Sequence, residues 1–371
     1  PLSEGVTSAA AYQKALQLYA QQAAYNSPSA YQSLRMTIEH LMTQPEVTAQ
    51  LMGDKFIQQL VFAYAFSNYF SDQVRLDLLA KLEQQQQADV PDPDVVAAFA
   101  YRQGRSDLAA HFVKNSNTPL AAWVKAKLAL QQGDNKAALD AYVQAAKAFP
   151  VDENWTSSSP EPNDYMMEGI APNCLVNSEL GLLQLQRNEY LQALHYLYLG
   201  AKDYWMDAAY VAERVVTTDE LKSFVDQRAP AVEGTGGHAW GDANPPVQIR
   251  NLLARRLMRD KRYQEAIAYF SEPEVQQQAR DYAYQLERSQ VFWLPATYKA
   301  ESLFNARQIA RNSGMELMGY EGAPDYAAWD GLFEYGWPDE IQEGGLISAG
   351  EKQRFDASKA KPEKRFHYRF V

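Results

Sequence analysis

The chain has one cysteine, no long apolar run and no excess of positive charge, and each shortage disfavours a class of protein. A single cysteine, Cys174, cannot form an internal disulfide or complete a cysteine-based zinc site. No run approaches the roughly 18 apolar residues of a membrane span, because Ser67 and Asn68 soon break the most apolar stretch, residues 60–66. Lys and Arg number 35 against 46 Asp and Glu, so the net charge of -11 argues against a protein that coats nucleic acid.

Apolar residues at helical spacing are abundant. Hydrophobic residues make up 46% of the 371 positions, which is enough for a substantial core. Leu16 and Tyr19 fall on one face of a helix predicted over 9–24. The same spacing predicts further helices over 56–70 and 74–87. Alternating β-branched runs are scarce, so the sequence predicts an all-α protein.

Residues 119–150 have the pattern of two antiparallel helices joined by a tight turn. Small residues four apart let two helices approach closely, and an aromatic residue fills the groove between neighbours. Gly133 supplies the turn and Pro150 ends the second helix. The residues that carry this pattern are Ala122, Ala126, Ala138, Tyr142 and Ala145.

This spacing resembles the tetratricopeptide repeat, a helix-turn-helix unit of roughly 34 residues. Lys125 departs from the pattern, since it stands where the family prefers Leu. Further copies are centred on turns near residues 104, 188 and 261, so the resemblance covers residues 91–311. It implies an irregular solenoid of stacked helical hairpins with a curved surface for a partner. A helical bundle without serial stacking is the alternative.

The composition divides the chain into three regions: an N-terminal helical region over 1–90, a tetratricopeptide-like array over 91–313, and an irregular, aromatic-rich C-terminal segment over 314–371 packed on the array. Two loop insertions, residues 151–173 and 229–246, interrupt the array because Pro, Ser, Asn and Gly are too frequent there for helix.

The candidate interaction surface lies on these loops and on the C-terminal segment. Long insertions in compact folds are often functional, and aromatic side chains there are suited to be contact hot spots. The alternative is that each tryptophan only covers exposed core. The candidate residues are Trp155, His238, Trp240, Trp329 and Trp337.

The remaining polar motifs do not form a recognisable catalytic or metal site. No histidine has a second ligand at the spacing of a zinc protease. Residues 234–239 match a dinucleotide fingerprint, but Pro230 precedes them and no strand is predicted there. Walker and nucleophile-elbow motifs are absent, so we expect no catalytic residue, no metal and no cofactor. The five histidines are His40, His111, His195, His238 and His367.

A second, local resemblance concerns the catalytic region of lytic transglycosylases. The similar residues are Glu301, Ser302, Leu303, Phe304 and Asn305, followed by Met315, Leu317 and Met318. In that family the glutamate is a general acid whose pKa is raised by an apolar surround, so the resemblance implies Glu301 as the acid. Glu316 and Gly319 depart from the Gly and Gln of the family. A plain helix of the array is the alternative.

We therefore predict a non-catalytic protein-protein interaction scaffold or adaptor built on a helical repeat array. A transglycosylase-like peptidoglycan-processing enzyme is the alternative. The acidic balance favours protein partners with basic segments, and neither nucleic acid nor a transmembrane segment is expected. The absence of Met before Pro1, the single cysteine and the transglycosylase resemblance favour a periplasmic or envelope-associated location over a cytoplasmic one.

Overall fold

A computed structural model describes residues 8–25, 27–66, 80, 90, 92–155, 171–231, 244–322, 325–329 and 347–358. All regular secondary structure in these ranges is helical and none of it is strand, which confirms the all-α prediction. Residue contacts divide the chain into two compact units, Pro1–Pro172 and Asn173–Val371. Apart from residue 80, the helix predicted over 74–87 lies outside the described residues.

The first unit is built from helices that pair into hairpins. Helices α1 and α2 pack together, as do α5 with α6 and α7 with α8. Helix α7 also packs on both α5 and α6, so the last two hairpins are stacked. The described helices of this unit are α1 (Ala9–Ala23), α2 (Pro28–Met42), α3 (Pro45–Leu51), α4 (Lys55–Phe66), α5 (Pro93–Arg102), α6 (Ser106–Val113), α7 (Pro119–Gln131) and α8 (Asn135–Ala148).

Short polar side chains start several of these helices. Ser8, Ser27, Thr118 and Asp134 each accept a hydrogen bond from the backbone amide three residues on, which satisfies a donor that the first turn leaves free. Small and aromatic residues then fill the core between the hairpins, and the predicted hairpin positions in 119–150 are all buried. These buried positions are Ala122, Ala126, Ala138, Tyr142 and Ala145.

The second unit is also helical and includes a π-helix. Its described helices are α9 (Pro172–Gln186), α10 (Tyr190–Leu199), α11 (Trp205–Tyr210), the π-helix (Val211–Val215), α12 (Thr218–Arg228), α13 (Pro245–Arg259), α14 (Tyr263–Ala266), a 3₁₀ turn (Ile267–Tyr269), α15 (Pro273–Gln290), α16 (Ala296–Met318), a 3₁₀ turn (Ala327–Trp329) and α17 (Ala349–Ala357). Helix α9 begins at Pro172, the last residue of the first unit.

The four turns predicted near residues 104, 133, 188 and 261 are confirmed, and they share one geometry. Each has a residue with positive φ: 75° at Gly104, 74° at Gly133, 64° at Asn188 and 62° at Lys261. The next amide donates to the carbonyl five residues before it, the bond that defines a Schellman helix end. These bonds join Arg105 to Ala100 (2.9 Å), Asp134 to Ala129 (2.9 Å), Glu189 to Gln184 (3.0 Å) and Arg262 to Leu257 (2.8 Å).

Two glycines bring α9 and the chain around α10 into close contact. A Cβ atom on Gly181 would lie 2.6 Å from Cγ of Leu197. A Cβ atom on Gly200 would lie 2.6 Å from the backbone oxygen of Cys174, which cannot rotate away. Small residues at these positions are therefore a steric requirement of the hairpin.

Some boundaries differ from the sequence prediction. Helices α9 and α13 begin at Pro172 and Pro245, inside the ranges predicted as loops, because proline is well tolerated in the first helical turn. Helix α16 continues to Met318, and α17 forms within the stretch predicted to be irregular. Of the two insertions, residues 156–170 and 232–243 lie outside the described part of the chain.

Candidate functional site

Of the five predicted interaction residues, the structure describes the side chain of Trp155. His238, Trp240 and Trp337 lie outside the described residues. The backbone of Trp329 ends the 3₁₀ turn Ala327–Trp329, but its side chain is not among those that the structure describes. A common surface for these five residues therefore stays a prediction.

Trp155 packs on the end of the α7–α8 hairpin. Its ring centroid lies 6.1 Å from that of Trp123 on α7 and 5.8 Å from that of Phe149, which ends α8. Its indole Nε1 donates to Glu153 at 2.7 Å. The ring is therefore partly buried against the first unit and presents only part of its surface to solvent.

The surroundings of Glu301 differ from those of a general acid. The side chain is 58% exposed, and its carboxylate lies 3.9 Å from the guanidinium of Arg288. The opposite side of α16 buries small residues such as Ser302 and Ala306, and α16 packs with α15 as a hairpin. An acid that protonates a glycosidic oxygen needs an apolar environment, whereas Glu301 lies beside solvent and a cation.

Cys174 is a buried side chain near the start of α9. Burial raises the pKa of its thiol to about 11, the opposite of the activation that a helix N-terminus can provide. Within the described ranges, no group of three or more His, Cys, Asp or Glu side chains is placed to hold a metal ion.

The turn between α15 and α16 is an exposed apolar surface. Its residues, Val291 to Pro295, form the sequence Val-Phe-Trp-Leu-Pro, which we call the aromatic tip. Phe292 is 90% exposed and Trp293 is 70% exposed. Turns usually have Gly, Asn or Asp at such exposed positions. Adjacent aromatic side chains this exposed are a common feature of surfaces that become covered by a partner.

The backbone of the aromatic tip is held in place by nearby groups. The amide of Leu294 donates to the carbonyl of Val291 at 3.2 Å, and Lys299 Nζ donates to the carbonyl of Phe292 at 3.5 Å. Arg288 lies over the ring of Tyr298 at 5.9 Å, on the side of the hairpin next to the tip. The two exposed rings are therefore presented on an ordered turn, which lowers the entropy cost of binding.

Further large apolar side chains are exposed on the two helices behind the tip. They lie on more than one side of the hairpin, because consecutive residues of a helix, such as Leu303 and Phe304, point in different directions. These side chains are Tyr284, Tyr298, Leu303 and Phe304.

A second distinctive region of the second unit is a buried network of arginines and carboxylates beside the π-helix. Arg255 pairs with Glu321, and Arg259 pairs with Glu213. Trp205 Nε1 also donates to Glu321 at 2.7 Å, and the amide of Glu321 donates to Glu213 at 3.2 Å. Burial lowers the pKa of the Arg255 guanidinium to about 10.

The π-helix supplies backbone acceptors to this network. A π-helix shifts the hydrogen-bonding register by one residue, and here the amide of Val216 donates to Val211 at 3.0 Å. Arg256 donates to the carbonyls of Ala212 and Val216, the latter at 2.9 Å. Arg259 also donates to the carbonyls of Met318 and Gly319, both at 3.0 Å. The network thus fixes the end of α16 and the residues after it, which is a structural task.

No protein-family model, curated protein or solved structure matches the chain. None of the described helices combines the length and the apolar character that a membrane crossing requires.

The aromatic tip was not predicted from the sequence. The signal was present, because five apolar residues stand between two helical patterns, where turn residues are expected, and the last is proline. The buried network was also missed, since its partners are distant in the chain: Arg255 and Glu321 are separated by 66 positions.

Proposed function

We propose that the chain is a non-catalytic interaction module whose aromatic tip binds a protein partner. The observation that carries this proposal is the exposure of Phe292 and Trp293 on an ordered turn. Fully burying an aromatic or large aliphatic side chain contributes about 1.5–3 kcal/mol, so covering both rings is a substantial source of binding energy.

The repeating hairpin geometry supports a tetratricopeptide-like arrangement as part of the same proposal. Four helix ends share one Schellman geometry. The second helix of the hairpin in 119–150 buries Ala138, Tyr142 and Ala145, the positions that the resemblance assigns to helix contacts. In such an arrangement each hairpin buries its apolar face against a neighbouring hairpin.

The overall charge of the chain adds a preference for the partner. A net charge of -11 attracts basic segments and speeds their encounter with the chain. We therefore propose a partner that combines an apolar pocket or groove for the two rings with basic residues around it.

Substitution of the two rings tests the proposal. The double variant Phe292→Ser/Trp293→Ser removes the apolar surface, and Tyr25→Ser is the matched control because Tyr25 is 87% exposed in the first unit. A hot-spot residue contributes about 2 kcal/mol or more, which is about thirtyfold in affinity for one ring, so we expect the double variant to bind partners at least about thirtyfold more weakly. The assay is affinity capture from the native extract, followed by titration of each captured protein.

Two checks establish that a loss of binding results from the missing rings and not from unfolding. Both variants should keep the helical circular dichroism spectrum, since the three side chains are exposed. Tyr25→Ser should capture the same proteins as the unaltered chain. Equal affinity of the double variant for every captured protein would overturn the proposal.

A further inference from the structure

Helix α17 (Ala349–Ala357) is a short helix that docks largely through polar groups. Helices of fewer than about 12–15 residues are marginal in isolation, so its helical state depends on what it contacts. Among its own residues only Glu351 is buried. The docking is therefore built on hydrogen bonds, one ion pair and the half-buried ring of Phe355, which lies 6.3 Å from the ring of Tyr210 and 4.8 Å from the guanidinium of Arg214.

The N-terminal end of α17 contacts the turn between α9 and α10. Ser348, the N-cap residue, donates from its Oγ to Oδ1 of Asn188 at 2.9 Å. A Cβ atom on Gly350 would lie 2.6 Å from the same Oδ1, so the absence of a side chain lets the helix approach this turn. Tyr190 also donates to Asn188 at 2.9 Å.

The middle of α17 contacts the π-helix and the start of α12. Tyr210 donates to Glu351 at 2.7 Å. Arg354 pairs with Glu220 at 2.7 Å, donates to the carbonyl of Val215 at 3.1 Å and lies over the ring of Tyr190 at 4.2 Å.

The partners of α17 are groups that the rest of the unit holds in place. Asn188 is the positive-φ residue of a Schellman turn, and Val215 ends the π-helix. Glu220 belongs to a capping box, in which it accepts from the amide of Thr217 at 2.7 Å. We call the surface formed by Asn188, Tyr190, Tyr210, Val215 and Glu220 the strap site.

We propose that the strap site binds helical segments of partner proteins and that α17 is its intramolecular occupant. The matching segment has a hydroxyl N-cap, a glycine in its first turn, a glutamate at its third position and an arginine three residues later, as α17 has. A partner helix with these groups displaces α17, and α17 therefore limits access to the site. The proposal does not depend on the aromatic tip.

The weakness of the α17 contacts makes displacement feasible. The side chains of Arg354 and Glu220 are each 31% exposed, and ion pairs with this degree of solvent contact contribute at most about 1 kcal/mol. Phe355, the aromatic residue of α17 that contacts Tyr210, is itself only half-buried. An occupant held in this way exchanges with a competitor of equal chemistry when the competitor is sufficiently concentrated.

The test uses the full chain and a labelled peptide with the sequence of residues 347–358. Arg354→Glu in the chain repels Glu220 and releases its own α17, while the strap site keeps its native residues. Gln353→Glu is the matched control, because it adds the same side chain one residue away at an exposed position. We expect the peptide to bind Arg354→Glu about tenfold more tightly than the unaltered chain or the control, measured by fluorescence anisotropy.

Hydrogen exchange of the α17 amides is measured on the same samples. These amides should be protected in the unaltered chain and in Gln353→Glu, and unprotected in Arg354→Glu. A second peptide carrying Arg354→Glu should bind none of the chains. The proposal is overturned if the first peptide binds all three chains equally, if it fails to bind a folded Arg354→Glu chain, or if α17 stays protected in that variant.

Discussion

The buried pair between Arg255 and Glu321 gives the sharpest test of the second unit. Glu321→Gln keeps the size of the side chain but removes its charge, so the buried Arg255 guanidinium loses its ion-pair partner. In the unaltered chain Trp205 Nε1 donates to the carboxylate of Glu321, and Gln would also place an amide donor near this donor. Breaking a buried ion pair by changing one partner costs about 3–5 kcal/mol.

This loss predicts a clear change in thermal unfolding. One kcal/mol shifts the Tm of a unit of this size by about 2–4 °C, so Glu321→Gln should lower the Tm of the second unit by about 6–20 °C. The assay is circular dichroism together with hydrogen exchange, which assigns the transition to the residues of that unit.

Two further variants serve as controls. Glu265→Gln makes the same chemical change in an exposed pair with Arg262 and should leave the Tm nearly unchanged. The double variant Arg255→Met/Glu321→Gln should recover part of the loss, because no unpaired charge stays buried. A Tm for Glu321→Gln within about 2 °C of the unaltered chain, well below the shift expected for a broken buried pair, would refute this reasoning.

Three further predictions concern packing, catalysis and pH. Gly200→Ala should destabilise the second unit by about 1–3 kcal/mol in urea unfolding, because the new Cβ meets a backbone oxygen, whereas Gly322→Ala, with only a contact at 4.0 Å, should have little effect. Glu301→Gln should leave muropeptide release at the level of the unaltered chain, and a selective loss would revive the transglycosylase alternative. The hydrogen bond from Arg354 lowers the pKa of Glu220 below its ordinary value of 4.5. The ion pair between Arg354 and Glu220 is therefore fully formed above pH 4.5, and it is lost as the pH falls through the lowered pKa of Glu220 in the folded chain. Exchange of the α17 amides should therefore accelerate in that acidic range, and exchange that does not vary with pH after correction for intrinsic rates would contradict this.

The features that the sequence predicted best are those with local causes. The turns at Gly104, Gly133, Asn188 and Lys261 follow from glycine, asparagine or a polar corner after a helical pattern, and all four are present. The burial of Ala138, Tyr142 and Ala145 follows from helical spacing alone.

The features that the sequence did not predict depend on contacts between distant residues. The pairs around the π-helix join α13 to Glu213 of the π-helix and to Glu321 after α16, and no local pattern specifies which arginine meets which carboxylate. Helix α17 lies in a segment predicted to be irregular because Gly, Pro and aromatic residues punctuate it, and its contacts, such as Arg354 with Glu220, are to residues distant in the chain.

The aromatic tip is not among the residues that the sequence analysis selects. The sequence predicts a contact surface of aromatic residues on the Gly- and Pro-rich insertions and the C-terminal segment, not on a five-residue turn. Phe292 and Trp293 were overlooked because exposure is a property of the folded chain, and an apolar run within a helical region is more often part of the core.

Site-specific photo-crosslinking from position 292 tests the central proposal most directly. A benzophenone side chain in place of Phe292 should form a discrete adduct with a protein partner in the native extract, and excess unaltered chain should suppress it. The same group in place of Tyr25, which is equally open to solvent, should not form that adduct. If position 292 gives no adduct, or gives the same adducts as position 25, the aromatic tip is not a partner-binding surface.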